Sequence, residues 1–347
     1  MEIFNNDDRA NAVFDPIAAI NRIVTNYKRY IRSTFKTDKT AYNEQIASEL
    51  DNYQIIKGPY LQMPNRYQKG DTIGDLVSAG RLSGEFLNLD SSRLDPDMHL
   101  YIHQINALNN IIGNDHSTVI STGTGSGKTE SFLIPILDYL FREVEAGTIR
   151  EPGVRAMVIY PMNALVNDQI KRFSEILENY SEVTFGFFTG ESRDLTDEND
   201  FKSRFHRIPL PNELYSVKQM TESPPHILIT NYAMLEHILI RPENAVEIFN
   251  PLNAQKWKYI VLDEVHTYSG AKGSEVAMLL RRVCRTISSD KIRFILTSAT
   301  LGFGQDAFKQ TAAFASELVN QEIDESDIIC GVSEDIRHPD DYVDVPE

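Results

Sequence analysis

The sequence predicts an α/β fold: a parallel sheet with helices on both faces, preceded by a mostly helical or irregular accessory region. Three observations predict it. Strand-length apolar runs at residues 118–121, 156–160, 184–188, 226–230, 258–262 and 293–297 are separated, for the most part, by helical patterns, as parallel strands with crossover helices require. A glycine-rich turn, Gly123 to Thr129, follows the first run and opens a helix. The fifth run ends in two carboxylates, Asp263 and Glu264, and such a sheet holds its ligands at the carboxyl ends of its strands.

Taken in order, residues 15–35 read as a helix. Asp15 is its N-cap, Pro16 suits the first position, and Ile17, Ile20, Val24, Tyr27 and Ile31 keep helical spacing. Arg22, Lys28, Arg29, Arg32, Lys36 and Lys39 fall largely off that stripe. They admit two readings, a strand-contacting helix or an accessory helix docked on the core with a solvated basic face, and the second is favoured. Residues 58–100, rich in Gly, Pro, Asp and Ser with short apolar pieces at 73–77 and 86–89, read as an irregular lead-in. The polar stretch 191–225 interrupts the strand and helix alternation without a strong strand signal, so a long excursion is expected there. Phe185, Phe187 and Phe188 invite base stacking, but a buried strand favours core packing. The domain organisation expected is 1–99 accessory, 100–335 nucleotide-binding and 336–347 an acidic tail or linker.

The run Ser121-Thr122-Gly123-Thr124-Gly125-Ser126-Gly127-Lys128-Thr129 is built to hold a polyphosphate. Backbone N–H groups of Thr124, Gly125, Ser126 and Gly127 and of the following helix surround the phosphates. Lys128 reaches the β and γ oxygens and the Thr129 hydroxyl ligates Mg²⁺. Thr122 stands where the strict pattern has glycine. Asp263 is expected to hold Mg²⁺, usually through a water, and Glu264 to activate the water that attacks the γ-phosphate. Lys128, Asp263 and Glu264 are thus the catalytic candidates.

With Thr297-Ser298-Ala299-Thr300 closing the last strand, the chain resembles a superfamily 2 helicase of the DEAD/DEAH-box kind. Gly123 to Thr129 is similar to motif I, Asp263-Glu264-Val265-His266 to motif II and Ser298 to Thr300 to motif III, in the right order. Tyr160-Pro161-Met162-Asn163-Ala164-Leu165 resembles motif Ia, Ile229-Thr230-Asn231-Tyr232 stands where the family has motif Ib, and His103-Gln104 resembles the adenine-reading motif. The resemblance implies a RecA-like P-loop NTPase domain using ATP and Mg²⁺. Gln104 then reads adenine, with Tyr101 as a second candidate for ring contact. Pro161, Met162, Asn163, Thr189, Gly190, Thr230, Asn231 and Tyr232 line the nucleic-acid face, while His266, Ser298 and Thr300 relay nucleotide state to it. A narrower resemblance, carried by 211–236 and by His266 to Ala277 with Leu279 to Arg282, points to the prokaryotic branch with mitomycin-repair helicases and the Druantia and DISARM anti-phage helicases.

The 347 residues carry a net charge of −16, which argues against a wholly basic nucleic-acid coat without excluding contacts through amides and hydroxyls. No apolar run approaches the length of a membrane span, and the N-terminus lacks a signal-peptide pattern, so a cytoplasmic protein is expected. Cys284 and Cys330 show neither metal-ligand spacing nor a disulfide framework, and Cys284 lies on an apolar helical stripe. After a helix at 307–319 and a short strand at 328–331, nothing resembles motifs IV to VI; Arg281, Arg282 and Arg285 belong to the helix after motif II. The expectation is half a motor, either a fragment or a split subunit: the ATP-binding half of a DNA-directed helicase or translocase, acting on a single strand or fork in repair or anti-phage defence. Its partner would be a second RecA-like domain or subunit. The alternative is a nucleotide-dependent interaction subunit with little turnover of its own.

Overall fold

The computed structural model describes residues 15–56, 66–123, 125–190, 192, 195–240, 248–289, 291–299 and 306–334. The chain divides into two compact units, residues 1–65 and 66–347.

In the first unit, α1 (Pro16–Thr34) begins where expected: Asp15 Oδ1 accepts from the N–H groups of Ile17 and Ala18 at 2.9 and 3.1 Å. It packs on α2 (Thr40–Asn52), to which Arg32 is tied through Asp51 Oδ1 at 2.5 Å. Neither helix buries a residue.

The second unit begins inside the stretch read as an irregular lead-in. There β1 (Lys69–Thr72) pairs antiparallel with β2 (His99–Tyr101), and α3 (Ile73–Ser78) starts on a Thr72–Asp75 capping box. Leu76, Leu82, Phe86, Leu89, Leu94 and Leu100 are buried, and the Phe86 ring meets Phe141 edge-on at 4.9 Å. The lead-in is therefore part of the core unit, because its scattered apolar residues cover the helix α5 (Lys128–Glu145). Ser83 N–H donates to Asp138 Oδ1 of that helix at 2.7 Å.

The main sheet has eight parallel strands in the order β10-β3-β9-β8-β4-β7-β5-β6. These are β3 (Thr118–Ser121), β4 (Ala156–Tyr160), β5 (Phe185–Phe188), β6 (Glu213–Leu214), β7 (Ile227–Asn231), β8 (Tyr259–Leu262), β9 (Arg293–Ser298) and β10 (Ile328–Cys330). Alternate residues supply two apolar clusters. Val158, Tyr160, Phe185, Phe187, Ile229 and Val261 face α5 and α6 (Asn163–Leu177); Met157, Ile159, Phe188, Leu228 and Ile260 face α9 (Tyr232–Ile240), α10 (Gly270–Ile287) and α11 (Ala307–Val319). All three phenylalanines of β5 are buried, so they pack the core. The excursion 191–225 is more structured than expected: it holds α7 (Glu198–Phe205), β6 and α8 (Val217–Glu222), and β6 forms the sheet edge. A two-residue strand has no periodicity to read. The first described residues of this unit run beside its last: Gln68 N–H donates to Val332 O at 2.9 Å and Glu334 N–H to Arg66 O at 2.7 Å.

Candidate nucleotide site and the adjoining face

The phosphate loop leaves β3 and enters α5 through two left-handed glycines, Gly125 and Gly127, both at φ 75°. Gly127 is the N-cap, and no side chain among the described residues caps the helix. A Cβ there would meet Gln104 Nε2 at 2.4 Å and displace that amide, and the left-handed φ itself favours glycine. The departure at Thr122 has a structural reason: its hydroxyl lies 2.6 Å from that of Ser126, and both are buried. A glycine would leave the Ser126 hydroxyl without this partner. Ser126 O also faces His103 Nε2 at 2.9 Å; burial pushes the His103 imidazole below its ordinary pKa.

Gln104 is buried, and its amide is bonded at both ends within the protein. Nε2 donates to Gly127 O at 2.9 Å and Oε1 accepts from Tyr101 N–H at 2.7 Å. It braces the phosphate loop in this conformation, where the resemblance implies an adenine reader. Beside it, Tyr101 stacks on His103 at 5.5 Å, and Tyr67, unremarked in the sequence, meets both rings at 5.6 and 5.0 Å.

Lys128 Nζ donates to Glu264 Oε1 at 3.1 Å, which brings the phosphate lysine and the acid pair together. Glu264 has a left-handed φ of 52°, a conformation that disfavours a side chain. Thr297 secures it: Thr297 Oγ1 accepts from Glu264 N–H at 3.0 Å and donates to Asp263 Oδ1. Burial, reinforced by the charge of Glu264, raises the Asp263 pKa, while the Thr297 bond and Lys128 oppose the rise. His266 Nδ1 lies 3.2 Å from Glu264 Oε2, yet that buried oxygen has no partner in hydrogen-bonding geometry among the described residues. Left-handed glycines, an open N-cap and an orphaned carboxylate oxygen fit a phosphate chain and its activated water. Asp263 and Thr129 are oxygen ligands of the kind Mg²⁺ takes.

Of the expected coupling residues, Ser298 is buried at the end of β9 and its carbonyl accepts from Thr122 N–H at 3.1 Å. Thr124 and Thr300 lie outside the described residues, and the Asn163 side chain is not described. The expected nucleic-acid face lies at the carboxyl ends of β4, β5 and β7, but its side chains are not all surface groups. Met162 is 56% exposed and Gly190 is exposed, whereas Pro161, Thr189, Thr230 and Asn231 are buried. Thr230 Oγ1 donates to Phe188 O at 2.7 Å, and Asn231 Oδ1 accepts from Met234 N–H at 2.8 Å to open α9. These two shape the face from beneath; half-buried Tyr232 stands on it.

Sheet, loop and acid pair define a RecA-like nucleotide-binding domain. The chain belongs to the DEAD/DEAH box helicase family, whose description matches residues 101–307. Among curated relatives, Druantia protein DruE of Escherichia coli is 31% identical over 83% of this chain, and the uncharacterized ATP-dependent helicase YprA of Bacillus subtilis is 30% identical over 64%. The chain spans 20% and 25% of their lengths. Among solved structures, the DUF1998 helicase MrfA bound to DNA and AMPPNP matches with a TM-score of 0.56 at 23% identity, over 84% of this chain and 34% of that one. The DEAD-box helicase Mss116 bound to ssRNA and AMP-PNP matches with a TM-score of 0.55 at 20% identity, over 78% and 46%. Both show the RecA-like helicase fold. No helix among the described residues is long and apolar enough to cross a membrane.

Proposed function

We propose that this chain is the ATP-binding half of a DNA-directed superfamily 2 helicase or translocase of repair or anti-phage defence, acting in the cytoplasm. The observation that carries the reading is the 3.1 Å contact between Lys128 and Glu264 at the mouth of a glycine-built phosphate loop. Druantia protein DruE and DNA-bound MrfA support DNA as the substrate and defence or repair as the setting. Membership of a helicase family does not favour the alternative of an interaction subunit without turnover.

Nucleotide phosphates take the place of the Glu264 carboxylate on Lys128, and the freed Glu264 then orients and deprotonates the attacking water. Thr129 and Asp263 are the residues that would hold Mg²⁺, which would supply positive charge to offset that of the phosphates. Thr297 fixes both acids to β9, so a shift of this strand reaches Ser298 and the adjoining face. A second RecA-like domain or subunit completes the site with a cation for the transition state, worth about 10³ to 10⁵ in rate where such arginines act.

ATP turnover measured with and without single-stranded DNA, and with and without a second RecA-like domain in trans, tests this. Slow turnover by the chain alone, rising with both additions and abolished by Glu264→Gln, is expected. Mg-ATP that fails to bind, or turnover indifferent to DNA in every combination, would overturn it.

A further inference from the structure

Lys272 is a cation that the nucleotide site leaves unused. It sits in the first turn of α10, where the positive end of the helix dipole disfavours it, and it forms none of the ion pairs among the described residues. Its ammonium lies instead over two rings, 4.8 Å from the centroid of Tyr232 and 5.4 Å from that of Tyr268. The rings meet edge to face at 6.3 Å and 80°. Tyr232 is the first residue of α9, on the face expected to meet nucleic acid. Tyr268 closes the turn that follows the acid pair. Its N–H donates to Val265 O at 2.9 Å, and Thr267 donates to Glu264 O through N–H and Oγ1 at 3.0 and 2.8 Å.

Backbone geometry holds the lysine there. A Cβ on Gly273 would lie 2.6 Å from Tyr268 O, so the first turn of α10 can close over Tyr268 only with glycine at that position. Tyr268 is fully buried and its hydroxyl has no hydrogen-bond partner among the described residues. The ring therefore follows the turn as a packed body, unanchored by its hydroxyl.

We propose that Lys272 is a positioning residue: its cation–π contacts fix the Tyr232 ring on the nucleic-acid face and tie it, through Tyr268, to the turn that carries Asp263 and Glu264. Nucleotide and single strand then bind cooperatively, each favouring the same placement of the turn, and the coupling is reciprocal. This rests on the helicase reading above.

The test uses the full chain and an oligodeoxythymidylate of about 15 nucleotides, with and without AMP-PNP and Mg²⁺. Strand affinity and melting temperature are measured for the parent, Lys272→Met, Lys272→Arg, Tyr232→Leu and the Lys272→Met/Tyr232→Leu pair. The factor by which AMP-PNP tightens strand binding should fall about fivefold in Lys272→Met and fall no further in the pair, while Lys272→Arg restores it. A Lys272→Met chain that couples like the parent, an arginine variant no better than methionine, or losses that add in the pair would overturn the inference. A parent that binds the strand without regard to nucleotide overturns the inference alone; a parent that binds no strand even with a second RecA-like domain in trans overturns the helicase reading with it.

Discussion

One hydroxyl, that of Thr297, holds both acids of the candidate site. Removing it leaves the half-buried Glu264 N–H without this partner at a left-handed φ, a cost of about 1–3 kcal/mol. Thr297→Val should therefore lower stability by that amount and slow turnover at least about tenfold, while Thr297→Ser keeps both; melting curves and ATPase rates decide it. Asp263 behaves oppositely. Its raised pKa means the folded chain prefers the protonated carboxyl, so ionisation costs stability above the folded pKa and costs nothing below the ordinary value of 3.8. Asp263→Asn should raise the melting temperature of the nucleotide-free chain at neutral pH, by about 2–4 °C for each kcal/mol gained, with the gain vanishing in acid. Mg-nucleotide binding should weaken in the same variant. Lys128, Asp263 and Glu264 were legible in the sequence because their residue types are what phosphate chemistry needs at strand ends. Thr297 was not, since its role arises only because β9 lies between β3 and β8. Nor was the bracing role of Gln104, which depends on how closely α4 (Ile102–Leu108) approaches Gly127.

At the scale of elements, β7 carries a pH-sensitive joint at its start. His226 is buried, its Nδ1 accepts from Thr184 N–H at 3.0 Å, and its carbonyl accepts from Arg155 and Ala156 N–H of the strand β4 side at 2.9 and 3.1 Å. Burial, with the nearby charge of Arg155, pushes the imidazole down to about 4. The unfolded chain takes up its proton near 6.5 and the folded chain only near 4. Stability from this group is thus present above about pH 6.5 and lost as pH falls towards 4, on the order of 3 kcal/mol. His226→Asn, which keeps an acceptor for Thr184 N–H, should flatten the stability profile across that window in denaturant titrations. The six strands read from the sequence were legible because central parallel strands are continuous apolar runs. The lead-in was missed because its buried leucines are spaced by turns with neither a helical nor a strand period, and β6 because edge strands need few residues.

For the whole molecule, the two units differ in what holds them. Residues 66–334 bury two apolar layers against one sheet, whereas α1 and α2 bury none of their own residues. A chain lacking residues 1–65 should keep a cooperative melt and undiminished ATP affinity, checked by circular dichroism and nucleotide titration. The close pairing of Arg66 with Glu334 has a further consequence. Because a backbone hydrogen bond joins residues 66 and 334, the two ends of this segment of the nucleotide-binding body lie side by side. Such a body is transplantable: spliced as one cassette into a surface hairpin of an unrelated scaffold, it would ask the host to part its backbone by little more than the spacing of two hydrogen-bonded strands.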